Sequence, residues 1–262
     1  MTREDILILC RAIPEQSRKY FKTVCVAGIN DKDELRRLYP VPFRPFVPNG
    51  GIPFHKGDWV NMTVKSPQKN DKRKESKKVE LASTNVTRKA YDDEIRKIIS
   101  RIEKNSVKEV ENSGGSLGII KPIIKKFETK VIDTSLFEPQ NTLFSLRSNI
   151  KLSRIKMLQE SFYEFLCQNA KNCSCSQRPH RMEIHDWEVN ELYRNIIKST
   201  KDEQEIKKKM EEKFLTWMST REVYFMIGTH YRWKTWMIVS IIYPPKVNYS
   251  ATSLEDFFPP IN

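Results

Sequence analysis

The hydrophobic and polar positions in the first part of the chain follow the short period of β-strands. Residues 6–9 and 21–29 are apolar runs that predict two buried strands, and we expect them to pair antiparallel. Residues 58–64 alternate polar and apolar side chains, which predicts a third strand. Residues 36–48 contain four prolines, whose missing amide donors predict an extended path outside any central position of a sheet.

Beyond residue 90 the pattern indicates a mixture of helices and strands. Ile95, Ile98, Ile99 and Ile102 share one face of an amphipathic helix, and Asp186 is the expected N-cap of another helix. The predicted helices are 91–110, 186–197 and 202–218, and the predicted strands are 117–132 with a break at Pro122, 161–167, 224–227 and 235–243. The last two strands form a hairpin whose tip, residues 228–234, is basic and aromatic.

These elements predict an α+β fold with a small β-rich N-terminal module followed by a mixed sheet with amphipathic helices. We place the β-rich module at residues 1–64, a basic arm with an amphipathic helix at 65–115, and an α+β C-terminal module at 116–262. The arm is predicted because residues 65–78 contain seven Lys or Arg and two acids with almost no apolar side chains. Such a stretch cannot pack a core and is typical of a solvated segment.

The charge of the chain points to an anionic partner. Lys and Arg number 46 against 33 Asp and Glu, which gives a net charge of +13. A surface this positive attracts phosphate polymers, so nucleic acid is the leading expected partner. The alternative is that the charge serves solubility alone.

The apolar runs and the cysteines bear on location. The chain contains no apolar run of about 18 residues, so we expect no membrane insertion. The first residues carry acids instead of the pattern of a secretory signal, and the five cysteines do not suggest an extracellular disulfide framework. We therefore expect a cytoplasmic protein.

One basic stretch, and two places where basic and aromatic side chains occur together, in the proline segment and at the hairpin tip, suit contact with nucleic acid. On a helix, the spacing of the basic residues in 147–154 would form one cationic stripe, and cations beside aromatic rings suit phosphate contact and base stacking. A solvated helix face, or simple packing of the aromatic rings, would give the same pattern. The candidate nucleic-acid contacts are Arg37, Arg44, Arg147, Lys151, Arg154, Arg232 and Trp233.

The most specific local pattern is a group of three cysteines and a histidine. Cys167, Cys173, Cys175 and His180 offer four ligands that can surround zinc tetrahedrally and hold a loop without a core of its own. The spacing differs from the paired CxxC form. Because the segment offers four ligands, a structural zinc is still the leading interpretation. Free thiols, or a disulfide or redox pair, remain as alternatives.

Signatures of enzymes are mostly missing from the sequence. The chain has no GxxxxGK[ST], GxGxxG, HExxH or GxSxG motif. Glu128, Lys130 and Asp133 superficially match the acidic and lysine residues of metal-dependent nucleases, a short match in a chain rich in Glu and Lys. The alternatives to a non-catalytic binding protein are thus a metal-dependent nuclease or a structural adaptor for an acidic protein.

Several segments resemble those of an uncharacterised prokaryotic family. They are residues 25–29, 37–44, 185–189 and 228–230, with the closing 243–245. In size and charge the chain is also similar to the archaeal accessory subunits that accompany short Argonautes in antiviral defence. That resemblance implies a non-catalytic subunit of a heterodimer that helps to hold a guide and target duplex, and it carries over no binding residue.

Overall fold

The structure is a computed structural model, and it describes residues 1–17, 20–44, 51–67, 71–131, 159–171, 173–230 and 234–247. The predicted α+β class is confirmed, because sheets and helices both run through these residues. Two barrels of five strands each account for most of the described chain. No helix among the described residues is long and apolar enough to cross a bilayer.

The first barrel contains five long strands and a short additional one. They are β1 (Thr2–Arg11), β2 (Glu15–Ser17), β3 (Phe21–Asn30), β4 (Leu35–Pro42), β5 (Asp58–Lys65) and β6 (Ser76–Lys89). The order is β1-β5-β6-β4-β3, and β3 pairs again with β1, so the sheet closes on itself. All pairings in this ring are antiparallel except the one between β4 and β6. The predicted pairing of the first two long strands is confirmed.

Alternation along the strands fills the interior of this barrel. On β5, buried and half-buried residues alternate at every position, as expected for a strand with one face in a core. Gly28 on β3 lies so close to β1 that an added Cβ would stand 2.1 Å from the carbonyl oxygen of Leu7. This backbone contact requires glycine. The buried apolar residues that line the barrel include Ile6, Ile8, Val24, Val26, Leu38, Val41, Val60 and Met62.

The predicted position of the proline segment is wrong for residues 36–42, and Pro45 and Pro48 lie outside the described residues. Strand β4 lies inside the ring, between β3 and β6. It pairs with β6 at Arg37 and Leu38 alone, before Pro40 and Pro42. Pro40 and Pro42 are tolerated because neither pairs with a described residue of β6, so their missing amide donors break no backbone hydrogen bond to that strand.

The prediction of a solvated arm at 65–78 is wrong from residue 76 onward. Strand β6 begins at Ser76, and Lys78 stands opposite Lys65 of β5. Its side chains are largely half-buried or exposed, although Val79 and Leu81 pack against the core of the first barrel. The first barrel therefore extends to Lys89, beyond the predicted module boundary at residue 64.

Two short helices follow where one long helix was predicted. They are α1 (Asp92–Ile102) and α2 (Val107–Asn112). The predicted apolar face of α1 is confirmed, since Ile95, Ile98 and Ile99 are buried. A separate N-cap divides the segment, because the side chain of Ser106 accepts a hydrogen bond from the Glu109 amide and starts α2.

The second barrel repeats the connectivity of the first. Its strands are β7 (Leu117–Ile120), β8 (Pro122–Val131), β9 (Gln159–Cys167), β10 (His180–Glu183), β11 (Tyr224–Thr229) and β12 (Trp236–Ile242). The predicted break at Pro122 separates β7 from β8, which together form one bent strand that pairs with β11 at its start and with β9 at its end. A parallel bridge between Ile184 and Ile238 joins the β10 side to β12 and completes the ring.

The helices of the second barrel connect its third and fourth strands. Helix α3 (Trp187–Ser199) has the predicted N-cap, since the Asp186 carboxylate accepts a hydrogen bond from the Glu188 amide. Helix α4 (Glu203–Glu211) continues as a π-helical turn (Glu212–Trp217) and a 3-10 turn (Met218–Thr220). The predicted final hairpin is confirmed by the antiparallel pairing of β11 and β12.

The two barrels share a buried interface. One apolar cluster contains residues from both barrels and from α1, among them Leu7, Leu9, Ile29, Ile99, Leu117, Ile119, Tyr224 and Met226. Beside it, the Lys56 ammonium of the first barrel lies 3.1 Å from the Asp186 carboxylate of the second and 2.9 Å from the Ile241 carbonyl. The barrels are thus joined by apolar packing and by a buried ion pair.

Candidate metal centre

The three cysteines and the histidine predicted as ligands come together in the second barrel. Cys167 is the last residue of β9, and His180 is the first residue of β10. Cys173 precedes a 3-10 turn (Ser174–Ser176) that contains Cys175. Because β9 and β10 are antiparallel neighbours, the strand ends bring the ligands at both ends of the intervening loop to one place.

The geometry of the four side chains fits a tetrahedral metal. Their ligand atoms all lie within 4.8 Å of one another. The Sγ atoms of Cys167 and Cys173 are 3.7 Å apart, and the Cys173 Sγ is 3.1 Å from the Nε2 of His180. Tetrahedral zinc, with bonds of about 2.3 Å to sulfur and about 2.0 Å to nitrogen, needs separations of roughly 3.5–3.8 Å. The sulfur pair already has this spacing.

Backbone amides surround the sulfur atoms. The amide of Val107, at the start of α2, lies 3.4 Å from the Cys167 Sγ, and the amide of Cys167 lies 3.4 Å from the Cys175 Sγ. The three cysteines are buried and His180 is half-buried. N–H donors that point at sulfur orient the ligands and stabilise their charge.

The protonation of the ligands follows from this environment. Burial raises the pKa of the Cys167 thiol. Burial alone would also raise the pKa of the Cys173 thiol. Hydrogen bonds from the N–H groups of Cys175 and Lys108 outweigh burial, and the pKa of that thiol is lowered. Burial lowers the pKa of His180, which keeps its imidazole neutral and able to bind a metal. The cluster therefore offers three sulfur ligands and a neutral imidazole, the set that suits zinc and other soft or borderline ions.

His185 and the proposed nuclease residue Glu128 lie outside this cluster. The His185 Nε2 is 3.3 Å from the Glu183 carboxylate, and Glu128 pairs with Lys126 and, at 3.0 Å, with Arg181. Among the described residues, the Cys3His group is the one set of three or more ligand side chains close enough to hold an ion. Glu128 is thus held in ion pairs with Lys126 and Arg181, and Asp133 lies outside the described residues.

The candidate nucleic-acid contacts have different outcomes. Arg37 is 3% exposed, and its guanidinium donates to the Ser116 carbonyl at 2.8 Å in the interface between the barrels. The prediction of a phosphate contact at Arg37 is therefore wrong for this fold, because a nucleic acid cannot reach the buried side chain. Arg44 is exposed. Arg147, Lys151, Arg154, Arg232 and Trp233 lie outside the described residues.

Sequence reasoning missed the role of the segment around Asp186. Its carboxylate accepts hydrogen bonds from Ser240 at 2.9 Å and from the Ile241 amide at 2.8 Å, in addition to the Lys56 ion pair. The next residue, Trp187, packs edge-on against Phe43 with ring centroids 5.3 Å apart. An acid predicted to cap a helix next to a tryptophan was the available signal, but it did not reveal a partner in the other barrel.

Comparison with known proteins assigns the chain by family. No curated protein matches it. Residues 2–103, which contain the first barrel and α1, match the model of a Domain of unknown function (DUF8758). Residues 99–259, more than half of the chain and including the metal centre, match a Domain of unknown function (DUF8757), and the chain belongs to that family.

Proposed function

We propose that the protein is a non-catalytic nucleic-acid-binding protein made of two OB-type barrels, of which the second is stabilised by zinc. A five-stranded Greek-key barrel in which the third strand pairs parallel with the fifth is the connectivity of an OB-fold. Both barrels have that connectivity. OB-folds bind oligonucleotides through the face of their second and third strands and through the loops that join strands one to two and four to five.

The observation that carries the proposal is where the predicted contacts fall within this connectivity. Arg147, Lys151 and Arg154 stand in the sequence between β8 and β9, the first and second strands of the second barrel. Arg232 and Trp233 stand between β11 and β12, its fourth and fifth strands. Residues chosen for their charge and aromatic character thus occupy the two connections that OB-folds use. Because a fold alone does not determine a function, this coincidence matters more than the barrel itself.

The charge of the chain adds a second line of support. A net charge of +13 favours association with a phosphate backbone over any neutral ligand. Base-reading motifs are absent from the sequence, so we expect weak sequence preference, with affinity supplied by phosphate contacts and stacking.

Zinc is proposed for the Cys3His centre because all four ligands come from the protein. A tetrahedral site with four protein ligands has no open position for a substrate, which is typical of structural and not catalytic zinc. The ion would hold the loop between β9 and β10, residues 168–179, to the barrel. Its contribution is therefore to the fold and not to a reaction.

An accessory role in a protein complex is part of the same proposal. The resemblance named above makes a short Argonaute the candidate partner, with the protein contributing to guide and target binding in the cytoplasm. Purification from the native host with partners attached, followed by mass spectrometry and sequencing of bound nucleic acid, tests this part. Recovery of the protein alone, without a partner, would contradict it.

The nucleic-acid part is tested by binding as a function of salt. We expect wild-type protein to bind single strands of about 30 nucleotides, long enough for two barrels that each cover about 4–16 nucleotides. Affinity falls steeply between about 50 and 200 mM salt if several phosphates are neutralised. The triple variant Arg147→Ala, Lys151→Ala, Arg154→Ala should weaken binding by about tenfold or more. A flat salt response contradicts the proposal.

A matched triple variant separates local contacts from net charge. Arg88, Lys207 and Lys209 each form an ion pair with a glutamate, at 2.6–2.7 Å. Changing these three to alanine removes the same total charge, and we expect a smaller loss of affinity. Equal losses in the two variants would reduce the proposal to non-specific attraction.

Metal analysis tests the zinc. We expect one zinc per chain in protein purified without added metal, and less in the Cys173→Ser variant. Cys25→Ser is the control, because Cys25 lies in the first barrel outside the cluster. Metal-free wild-type protein, or equal zinc in both variants, would overturn the assignment.

A further inference from the structure

A group of cationic side chains surrounds Trp217 at the end of the π-helical turn. The Lys213 Nζ is 3.1 Å from the centroid of the Trp217 ring, and the Arg221 Cζ is 4.9 Å from it. Tyr243 packs edge-on against the same ring, with centroids 5.7 Å apart. Lys246 donates to the Ser219 carbonyl at 2.8 Å, next to this group. We refer to Lys213, Trp217, Arg221, Tyr243 and Lys246 as the Trp217 cluster.

The cations of this cluster differ from those of the preceding helix. On α4, Lys207 and Lys209 are paired with Glu203 and Glu205 at 2.6 and 2.7 Å. Within the described part of the chain, the three cations of the Trp217 cluster form no ion pair with a carboxylate. Positive charge is therefore concentrated here without the neutralisation found next to it.

The acid that faces the cluster is already engaged. Glu188 lies 3.0 Å from the Lys56 ammonium and accepts a hydrogen bond from the Tyr243 hydroxyl at 3.2 Å. Burial and the positive charge of Arg221 lower the pKa of Lys213, and the opposing attraction of Glu188 is smaller than their combined effect. Like charges held close together repel each other, and an anion between them would remove that cost.

The backbone and the exposed surface are also unusual at this place. Glu212–Trp217 is π-helical, a rare geometry that is frequent at functional sites. Trp217 is 36% exposed and the neighbouring Leu215 is 38% exposed. Arg221 and Lys246 donate to the backbone carbonyls of Tyr243 and Ser219, and among the described residues these bonds leave their charge without a carboxylate partner. Aromatic surface next to such cations is the combination that single-stranded nucleic acids contact.

We propose that Lys213, Arg221 and Lys246 bind a backbone phosphate of a nucleic-acid strand beside Trp217. The cluster lies on the connection between β10 and β11 and on the segment after β12, so it is separate from the strand connections named above. It would extend the bound strand onto the helical side of the second barrel. This inference rests on the proposed function and adds a contact to it.

The double variant Lys213→Ala, Arg221→Ala tests the inference, with Lys207→Ala, Lys209→Ala as the matched control from the adjoining helix. The probe is a fluorescent single strand of about 30 nucleotides, as DNA and as RNA, titrated over a range of salt. We expect the cluster variant to lose about tenfold in affinity and the log–log salt slope to fall by about 1–2. The control should change affinity by less than about threefold. Lys213→Arg, which keeps the charge, should bind like wild type.

The outcomes distinguish this inference from the function on which it rests. If wild type binds neither probe, both proposals are overturned. If wild type binds and the cluster and control variants lose affinity equally, the Trp217 cluster is overturned and the nucleic-acid function stands. Circular dichroism of every variant excludes misfolding as the cause of a loss. Should the double variant misfold, Lys246→Ala measured in the same way decides the question.

Discussion

The two barrels differ in the connection between the second and third strands of their rings. In the first barrel, the second and third strands of the ring, β3 and β4, are joined by the short turn at residues 31–34. The Asn30 side chain organises this turn by accepting hydrogen bonds from the amides of Lys32 and Glu34. In the second barrel, the equivalent connection is the long loop at 168–179, and the Cys3His centre lies along it. One connection is stabilised by hydrogen bonds within a turn, and the other carries four side chains close enough to hold a metal ion.

The difference shows what a long polar loop requires. A short turn satisfies its backbone groups locally, and a single asparagine is enough to fix it. The loop at 168–179 has few apolar side chains to bury, so a cross-link has to replace the missing core. We therefore expect the second barrel to depend on its ligands and the first barrel to be insensitive to them.

Loss of the metal centre is expected to have the largest effect. Structural zinc contributes about 10 kcal/mol or more to the folding of small domains, so Cys173→Ser or prolonged chelation should lower stability by more than about 5 kcal/mol. Amide hydrogen exchange should become faster in β9 and β10, while the amides of β1 and β3 should stay protected. Uniform exchange across both barrels would break the comparison.

The ion pair between the barrels is expected to rank second. Asp186→Ala leaves the Lys56 ammonium with Glu188 as its remaining acidic partner and removes the acceptor of Ser240 and of the Ile241 amide, which together cost about 3 kcal/mol. Asp202→Ala is the control, because Asp202 also caps a helix but is exposed, and its loss costs about 1 kcal/mol. Urea unfolding measures both variants. Equal effects would show that Asp186 acts as a helix cap alone.

The turn of the first barrel should show a smaller effect. Asn30 is 2% exposed, and Asn30→Ala removes the acceptor of two amides, so we expect a loss of about 2 kcal/mol. Zinc content should stay unchanged in this variant. Reduced zinc would mean that the two connections are coupled across the interface.

The smallest expected effect concerns Glu94 beside the first barrel. Hydrogen bonds from Arg88 and Trp59 lower the pKa of Glu94 to about 2, from 4.5. A lowered carboxylate pKa stabilises the fold above pH 4.5, and this stabilisation disappears as the pH falls toward 2. Glu94→Gln should therefore cost less than about 1 kcal/mol at pH 7 and nothing near pH 2. An unchanged cost at low pH would contradict the assignment.

Local pattern was enough for much of the fold and for the metal ligands. The strands at 6–9 and 21–29 were predicted because they are apolar runs of strand length, and 58–64 was predicted because polar and apolar side chains alternate. The Cys3His set was predicted from residue type and order, and antiparallel pairing of β9 and β10 brings its members together. Strand β6 was missed because charged and polar side chains dominate it and outweigh the signal of Val79 and Leu81, which pack against the barrel core.

The sequence by itself determined the α+β class, most helices and strands, the positive charge and the set of metal ligands, since these depend on residue type and on neighbours along the chain. The tertiary structure alone decided that β5 and β6 complete the ring between β1 and β4, that β4 enters the sheet and that Arg37 is buried against Ser116. It also decided that the Lys56 ammonium of the first barrel lies against Asp186 of the second. These features depend on contacts between segments far apart in the chain, which no local pattern specifies.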